Sequence, residues 1–127
     1  MNLIESISQF TSFVPEDTSL GDIAFLLADS SVGVVGITRD GQPVGTISDV
    51  DIAIRAEGLG FALSDLRATE VIGQRPVLVE WQSDDSDLID AAILMRRNES
   101  RHAVVMRDGA PFAVLSFAAL ARHNVGN

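Results

Sequence analysis

The sequence predicts a mixed α/β protein made of two copies of one strand–helix–strand–strand–helix unit, packed together about an approximate two-fold axis. Three observations carry this expectation. First, Arg39-Asp40-Gly41 recurs as Arg107-Asp108-Gly109, an offset of 68 residues, and the same offset places Pro43 on Pro111, Ser48 on Ser116, Asp17 on Asp85, Asp22 on Asp90 and Ala24 on Ala92. Second, apolar positions follow the same register, with Leu20 on Leu88, Leu27 on Met95, Ile37 on Val105, Ile47 on Leu115 and Ile52 on Leu120. Third, in each copy an Asp-Gly pair separates two apolar runs, which signals a tight hairpin because the turn needs a positive φ that glycine accepts.

Each copy reads in the same order. A short apolar run, Phe13-Val14 or Val77-Leu78-Val79, suits a strand, and the alternation of the second puts Val77 and Val79 on one face. A helix is expected next, starting at Thr18 or Ser86, whose hydroxyl can accept a bond from the free N–H groups of the first turn. Its apolar stripe is Leu20, Ile23, Ala24 and Leu27 in one copy and Leu88, Ala91, Ala92 and Met95 in the other, the i, i+3, i+4, i+7 pattern of an amphipathic helix. Residues 34–38 and 44–47, then 103–106 and 112–115, flank the two hairpin turns. A second helix runs from Ser48 towards Gly58 and from Ser116 towards Gly126, glycine serving as terminator. The expected organisation is residues 1–58 for the first repeat, 59–73 for a connecting segment with a short helix from Ser64, and 74–127 for the second repeat. One repeat alone is too small for a good core, so the two must pack against each other.

Composition narrows the function classes. At 127 residues and 46% apolar, the chain can build a core without staples, and the absence of cysteine excludes disulfides, thiolate metal sites and cysteine nucleophiles. Residues 1–10 lack the basic start and unbroken apolar run of a secretory signal. No stretch reaches the roughly 18 to 20 apolar residues of a membrane span, so no membrane association and a cytoplasmic location are expected. A net charge of −9 opposes binding to a nucleic-acid backbone. The mean hydropathy of +0.24 is high for so small a chain, and burial of the excess in a homodimer is the simplest remedy.

No catalytic arrangement stands out, and the protein is not expected to be an enzyme. His102 and His123 have no metal-pair spacing, and neither a Gly-x-Ser-x-Gly elbow nor a glycine-rich phosphate loop is present. The acidic run Asp84-Asp85-Ser86-Asp87 suits the positive end of the helix dipole better than a divalent ion. Trp81, the single tryptophan, has two readings: a platform for a base, or packing in the core between the repeats.

Three stretches carry a family likeness: residues 14–20, Val-Pro-Glu-Asp-Thr-Ser-Leu; residues 32–35, Val-Gly-Val-Val; and residues 44–52, Val-Gly-Thr-Ile-Ser-Asp-Val-Asp-Ile. The last holds glycine, two residues, Thr or Ser, two residues and Asp at the opening of the second helix. Set within a duplicated unit, these residues make the whole chain resemble a tandem pair of CBS (cystathionine beta-synthase type) domains, a Bateman module. The second repeat departs from the pattern, with Ala113 where the first has Gly45 and Ala119 where it has Asp51.

The residues of the motif have a chemistry of their own. Ser48 lies where the N–H groups of a helix N-terminus point outward and favour anions and polar oxygens. Asp51 presents two acceptor oxygens suited to the paired hydroxyls of a ribose, and Gly45 permits close approach to the backbone. A purely structural reading stands beside this one, with Ser48 as an N-cap and Asp51 as an acid of the first turn. The resemblance implies the ribose role for Asp51 and a sugar or phosphate contact for Ser48. It also implies a base cleft at Val32, Gly33 and Val34 with the backbone near Phe13 and Val14, and a phosphate contact from the partner repeat at Arg101 and His102. Arg55, four residues after Asp51, is a second phosphate candidate. For both arginines a solvated surface role, and for His102 a structural one, remain open.

The function implied is that of a regulatory module that requires no cofactor and senses AMP, ADP, ATP, S-adenosylmethionine or NAD while modulating another protein in trans. A ligand-free dimerisation or scaffold module is the alternative, favoured by the missing acid at Ala119.

Overall fold

The computed structural model describes residues 3–28, 33–59, 63–72, 76–81 and 86–125, with the side chains of residues 55–59, 86–87 and 122–125 outside the description. The elements are α1 (Leu3–Ser8), β1 (Phe13–Pro15), α2 (Leu20–Ala28), β2 (Val34–Arg39), β3 (Gln42–Ser48), α3 (Asp49–Leu59), two single 3-10 turns (Leu63–Asp65 and Ala68–Glu70), β4 (Val77–Glu80), α4 (Ser86–Arg97), β5 (His102–Arg107), β6 (Ala110–Ser116) and α5 (Phe117–Val125). They form two three-stranded sheets, β1-β2-β3 and β4-β5-β6. In each, the outer strand runs parallel to the central one, and the central one is paired antiparallel with its hairpin partner.

The hairpins follow the turn chemistry of the sequence. Arg39 pairs with Gln42 and Arg107 with Ala110, so each loop is the two residues Asp-Gly. Asp40 and Gly41 have φ of 52° and 79°, and Asp108 and Gly109 have 53° and 80°; two positive φ values give the backbone twist that matches the strands. The arginine before each turn is used differently. Arg39 makes a bidentate pair with Glu16, both contacts at 2.8 Å, and its hydrogen bond holds the half-buried Glu16 carboxyl below its usual range. Arg107 instead lies 4.8 Å above the ring of Trp81 and 5.0 Å from that of Phe112, the two rings being stacked at 5.2 Å.

Two of the expected boundaries move. Ser19, not Thr18, caps α2: its hydroxyl accepts the Asp22 N–H at 3.1 Å, while Thr18 spends its carbonyl on the Ala68 N–H at 2.9 Å. At the other end of the repeat, α3 continues to Leu59, one residue past Gly58. Gly126, Asp84 and Asp85 lie outside the described residues, as do the side chains of Ser86 and Asp87.

Alternation along the strands divides the interior into three cores. Inner faces Val35, Ile37 and Ile47 join Leu20, Ile23 and Leu27 of α2. Ala103, Val105, Ala113 and Leu115 join Leu88, Ala91 and Met95 of α4. The opposite faces meet each other: Val34 of one sheet packs with Val104, Met106 and Val114 of the other, with Phe13 at the margin. Gly36 is required in this interface, because a Cβ there would run into the Phe13 ring. Trp81 packs onto the core of the second repeat, so its place is not the core between the repeats.

The segment that precedes each repeat completes the core of the other. Ile4 of α1, 2% exposed, belongs to the core of the second repeat, with Leu3 and Ile7 packed against it. Leu66, Ala68 and Val71 of the connecting segment belong to the core of the first, with Ile72 against it. The offset of 68 residues carries Ile4 onto Ile72, so the exchange is part of the duplication. Sequence reading did not assign α1, although Leu3, Ile4 and Ile7 already had helical spacing.

Candidate functional site

Ser48 closes β3 and opens α3, and it is paired in register with Val34 at the start of β2. Directly opposed residues of an antiparallel pair share a face. Val34 faces the other sheet, so Ser48 does too. His102 and Ser116 form the corresponding pair on the second sheet, and His102 alternates with Val104, which also faces between the sheets. Two polar rims therefore meet where the apolar contact of the two sheets ends.

The first rim is held by a reciprocal cap. The Ser48 N–H and hydroxyl donate to Oδ2 of Asp51 at 2.8 and 3.0 Å, and the Asp51 N–H donates to Ser48 Oγ at 3.3 Å. The capping reading is thus correct as structure. It leaves Oδ1 of Asp51 with no bond among the described residues, on a half-buried side chain, while Ser48 is only 8% exposed. At the second rim Ser116 accepts the Ala119 N–H at 3.0 Å, and no carboxylate answers it.

His102 is half-buried at the start of β5. Burial holds its ring below the usual histidine range, the Asp51 carboxylate across the repeat boundary works against that, and neighbouring Arg101 adds to the lowering. Arg101 itself is exposed, and its carbonyl accepts the Phe117 N–H at 2.8 Å, which ties the start of β5 to α5. The Asp51 carboxylate of one repeat thus acts on the His102 ring of the other, with Ser48 bonded to the first and Arg101 adjoining the second in sequence. At the pseudo-equivalent place it sets Ser116 and Ala119, with Gly33 and Val34 in the positions that the offset relates to Arg101 and His102.

Other residues singled out by sequence lie elsewhere. Gly45 pairs with Ile37 on the core face, where a Cβ would stand 2.8 Å from Cγ2 of Ile72; room for that side chain accounts for the glycine. Val14 turns towards the core of the first repeat, and its carbonyl accepts the Thr38 hydroxyl at 3.4 Å. Val34 is 1% exposed in the contact between the sheets, and Gly33 before it has φ of 76°. Val32 and the Arg55 side chain lie outside the described residues. Among the described residues no group of three or more His, Asp or Glu side chains is placed to hold a metal ion, and no helix is long and apolar enough to cross a membrane.

Residues 8–58 match the CBS domain family. Over that segment the chain carries a CBS domain. A crystal structure of another CBS domain protein superposes with a TM-score of 0.76 at 19% identity, covering 98% of this chain and 99% of the other. A CBS domain protein of Pyrobaculum aerophilum, solved in complex with AMP, matches at 0.68 and 25% identity over 95% and 98% of the two chains. The CBS domain of a bacterial Mg2+ transporter of the CNNM/CorC family, solved in complex with ATP, matches at 0.72 and 16% identity over 98% and 85%. No curated relative matches the chain. CBS domains are regulatory modules, and the pair of sheets with their helices is the fold of a CBS pair.

Proposed function

We propose that this CBS pair is a regulatory module without catalysis of its own, acting in the cytoplasm, whose cleft at Ser48, Asp51, Arg101 and His102 holds an adenine nucleotide or adenosyl ligand: AMP, ADP, ATP, S-adenosylmethionine or NAD. The observation that carries the reading is the carboxylate of Asp51, oriented by its cap, with Oδ1 left over and with the only described histidine ring of the sheets across from it. A carboxylate oxygen accepts from a ribose hydroxyl, the N-terminus of α3 favours an anion, and the Arg101 guanidinium supplies planar donors to phosphate. That similar folds have been solved with AMP and with ATP supports the ligand class. The regulated partner is a separate protein, bound in trans.

Thermal-shift titration with those five compounds tests this reading. A ligand at 100 times its dissociation constant stabilises the folded state by about 2.7 kcal/mol. Silence across the panel favours the ligand-free scaffold, for which the missing acid at Ala119 already speaks.

The assembly we propose is a homodimer. Val50 and Ile54 on α3, and Ile89 and Ile93 on α4, are i, i+4 pairs exposed at 49%, 66%, 62% and 43%, and a second copy is the simplest cover for such helical stripes. Light scattering at micromolar concentration is expected to give twice the 13.6 kDa chain mass. A monomer mass there removes the dimer from the proposal.

A further inference from the structure

We infer that His102 couples binding of a phosphate-bearing ligand to uptake of a proton, so that the cleft prefers phosphorylated over unphosphorylated nucleosides more strongly as the pH falls. The inference rests on the nucleotide reading of the cleft and adds its regulation.

The argument is one of position and charge. His102 lies on the strand face that carries Val104 into the contact with the first sheet, so its ring is at the boundary between the repeats rather than on the outer surface. The charged groups acting on it are Asp51 from α3 and Arg101, the residue just before β5; β6 brings only the neutral Ser116 opposite it. Burial disfavours the charged form of the ring and the arginine repels it, which together outweigh the attraction of Asp51 and hold its midpoint below the usual histidine range. A phosphate placed between Arg101 and the N-terminus of α3 changes that balance. It screens Arg101 and adds up to two negative charges beside a ring already attracted to Asp51, so the imidazolium becomes the stable form and a second donor to the phosphate. The proton comes from solvent and no bond is broken. A ligand without phosphate brings no such charge and should leave the ring neutral. In the other cleft the offset places Val34 where His102 stands, so no histidine takes that position there.

Ring-proton NMR of the two histidines separates this event from the ligand's own ionisation, which has its midpoint near pH 6 for a phosphate monoester. His123→Gln assigns the His102 signal. Saturation with AMP is expected to raise the His102 midpoint by about one pH unit, which corresponds to about tenfold in affinity between its two protonation states. Adenosine is expected to leave the midpoint where it is. Calorimetry with AMP at pH 7 in two buffers of different ionisation enthalpy should register proton uptake, which is lost in His102→Gln. AMP binding without displacement of the His102 midpoint overturns the inference and leaves the nucleotide reading intact. Binding of none of AMP, ADP, ATP, S-adenosylmethionine, NAD and adenosine overturns the two together.

Discussion

Asp51→Ala is expected to weaken nucleotide binding by about five- to a hundredfold, the equivalent of the roughly 1 to 3 kcal/mol that an unmet buried polar group costs. Two roles of the residue must be separated to interpret that loss. Its Oδ2 accepts the Ser48 N–H and hydroxyl, so alanine also removes that half of the capping box, at about 0.5 to 1.5 kcal/mol of stability, while the backbone N–H of position 51 keeps its bond to Ser48 Oγ. Asp51→Asn is the discriminating partner. It keeps one carbonyl oxygen for the Ser48 N–H and so should restore most of the stability, but it offers an amide in place of the second acceptor and no negative charge. If the cleft uses Asp51 for a ribose, asparagine should remain weak in binding while the denaturant midpoint recovers. Calorimetry on both variants reads the affinity, and it reads the stoichiometry of the unaltered chain, where one ligand per chain is expected because Ala119 offers no acceptor in the other cleft. Unchanged affinity in both variants, or two equal sites per chain, would show that the site is elsewhere.

Ile4→Ala should have the largest effect on stability, and the effect should appear in the half of the molecule remote in sequence. The side chain is 2% exposed in the core of the second repeat, against Ala113, Leu115 and their neighbours. Truncating such an isoleucine costs about 2 to 5 kcal/mol through lost transfer energy and the cavity left behind. A domain of this size has only about 5 to 15 kcal/mol to lose. Hydrogen exchange should accelerate first at residues 113–115 rather than at residues 35–37. Leu66→Ala is the mirror experiment, since Leu66 is 4% exposed in the core of the first repeat and its loss should open residues 35–37 first. A cost below about 0.5 kcal/mol for Ile4→Ala, the range of ordinary surface substitutions, would mean that α1 is not part of that core. Both outcomes bear on the contact between the repeats, because the faces these segments stabilise are the backs of the sheets whose fronts meet each other.

The duplicated unit, its hairpins and the core-facing stripes of its helices were legible in the sequence because they rest on local rules. An Asp-Gly turn demands positive φ wherever it occurs, and Leu20, Ile23 and Leu27 recur at helical spacing whatever they pack against. Ser48 and Asp51 were legible for the same reason, being three residues apart at a helix start. Their two readings could not be separated there, and in the structure the cap and a spare carboxylate oxygen coexist. Long-range packing decided the rest. Gly45 reads in the sequence as room for a ligand, but Ile72, 27 positions further on, fills the space above it. Trp81 reads as a base platform or a bridge between repeats, but its ring is taken by Phe112 and Arg107 within its own repeat. Ile4 carries no sign in its neighbours that it belongs with β6. Nor does anything near residue 102 reveal that the carboxylate acting on its ring comes from residue 51. A sequence states what each residue prefers within a turn or two; which distant residue lies opposite is set by the packing of the two sheets, and that packing brings the His102 ring under the influence of the Asp51 carboxylate.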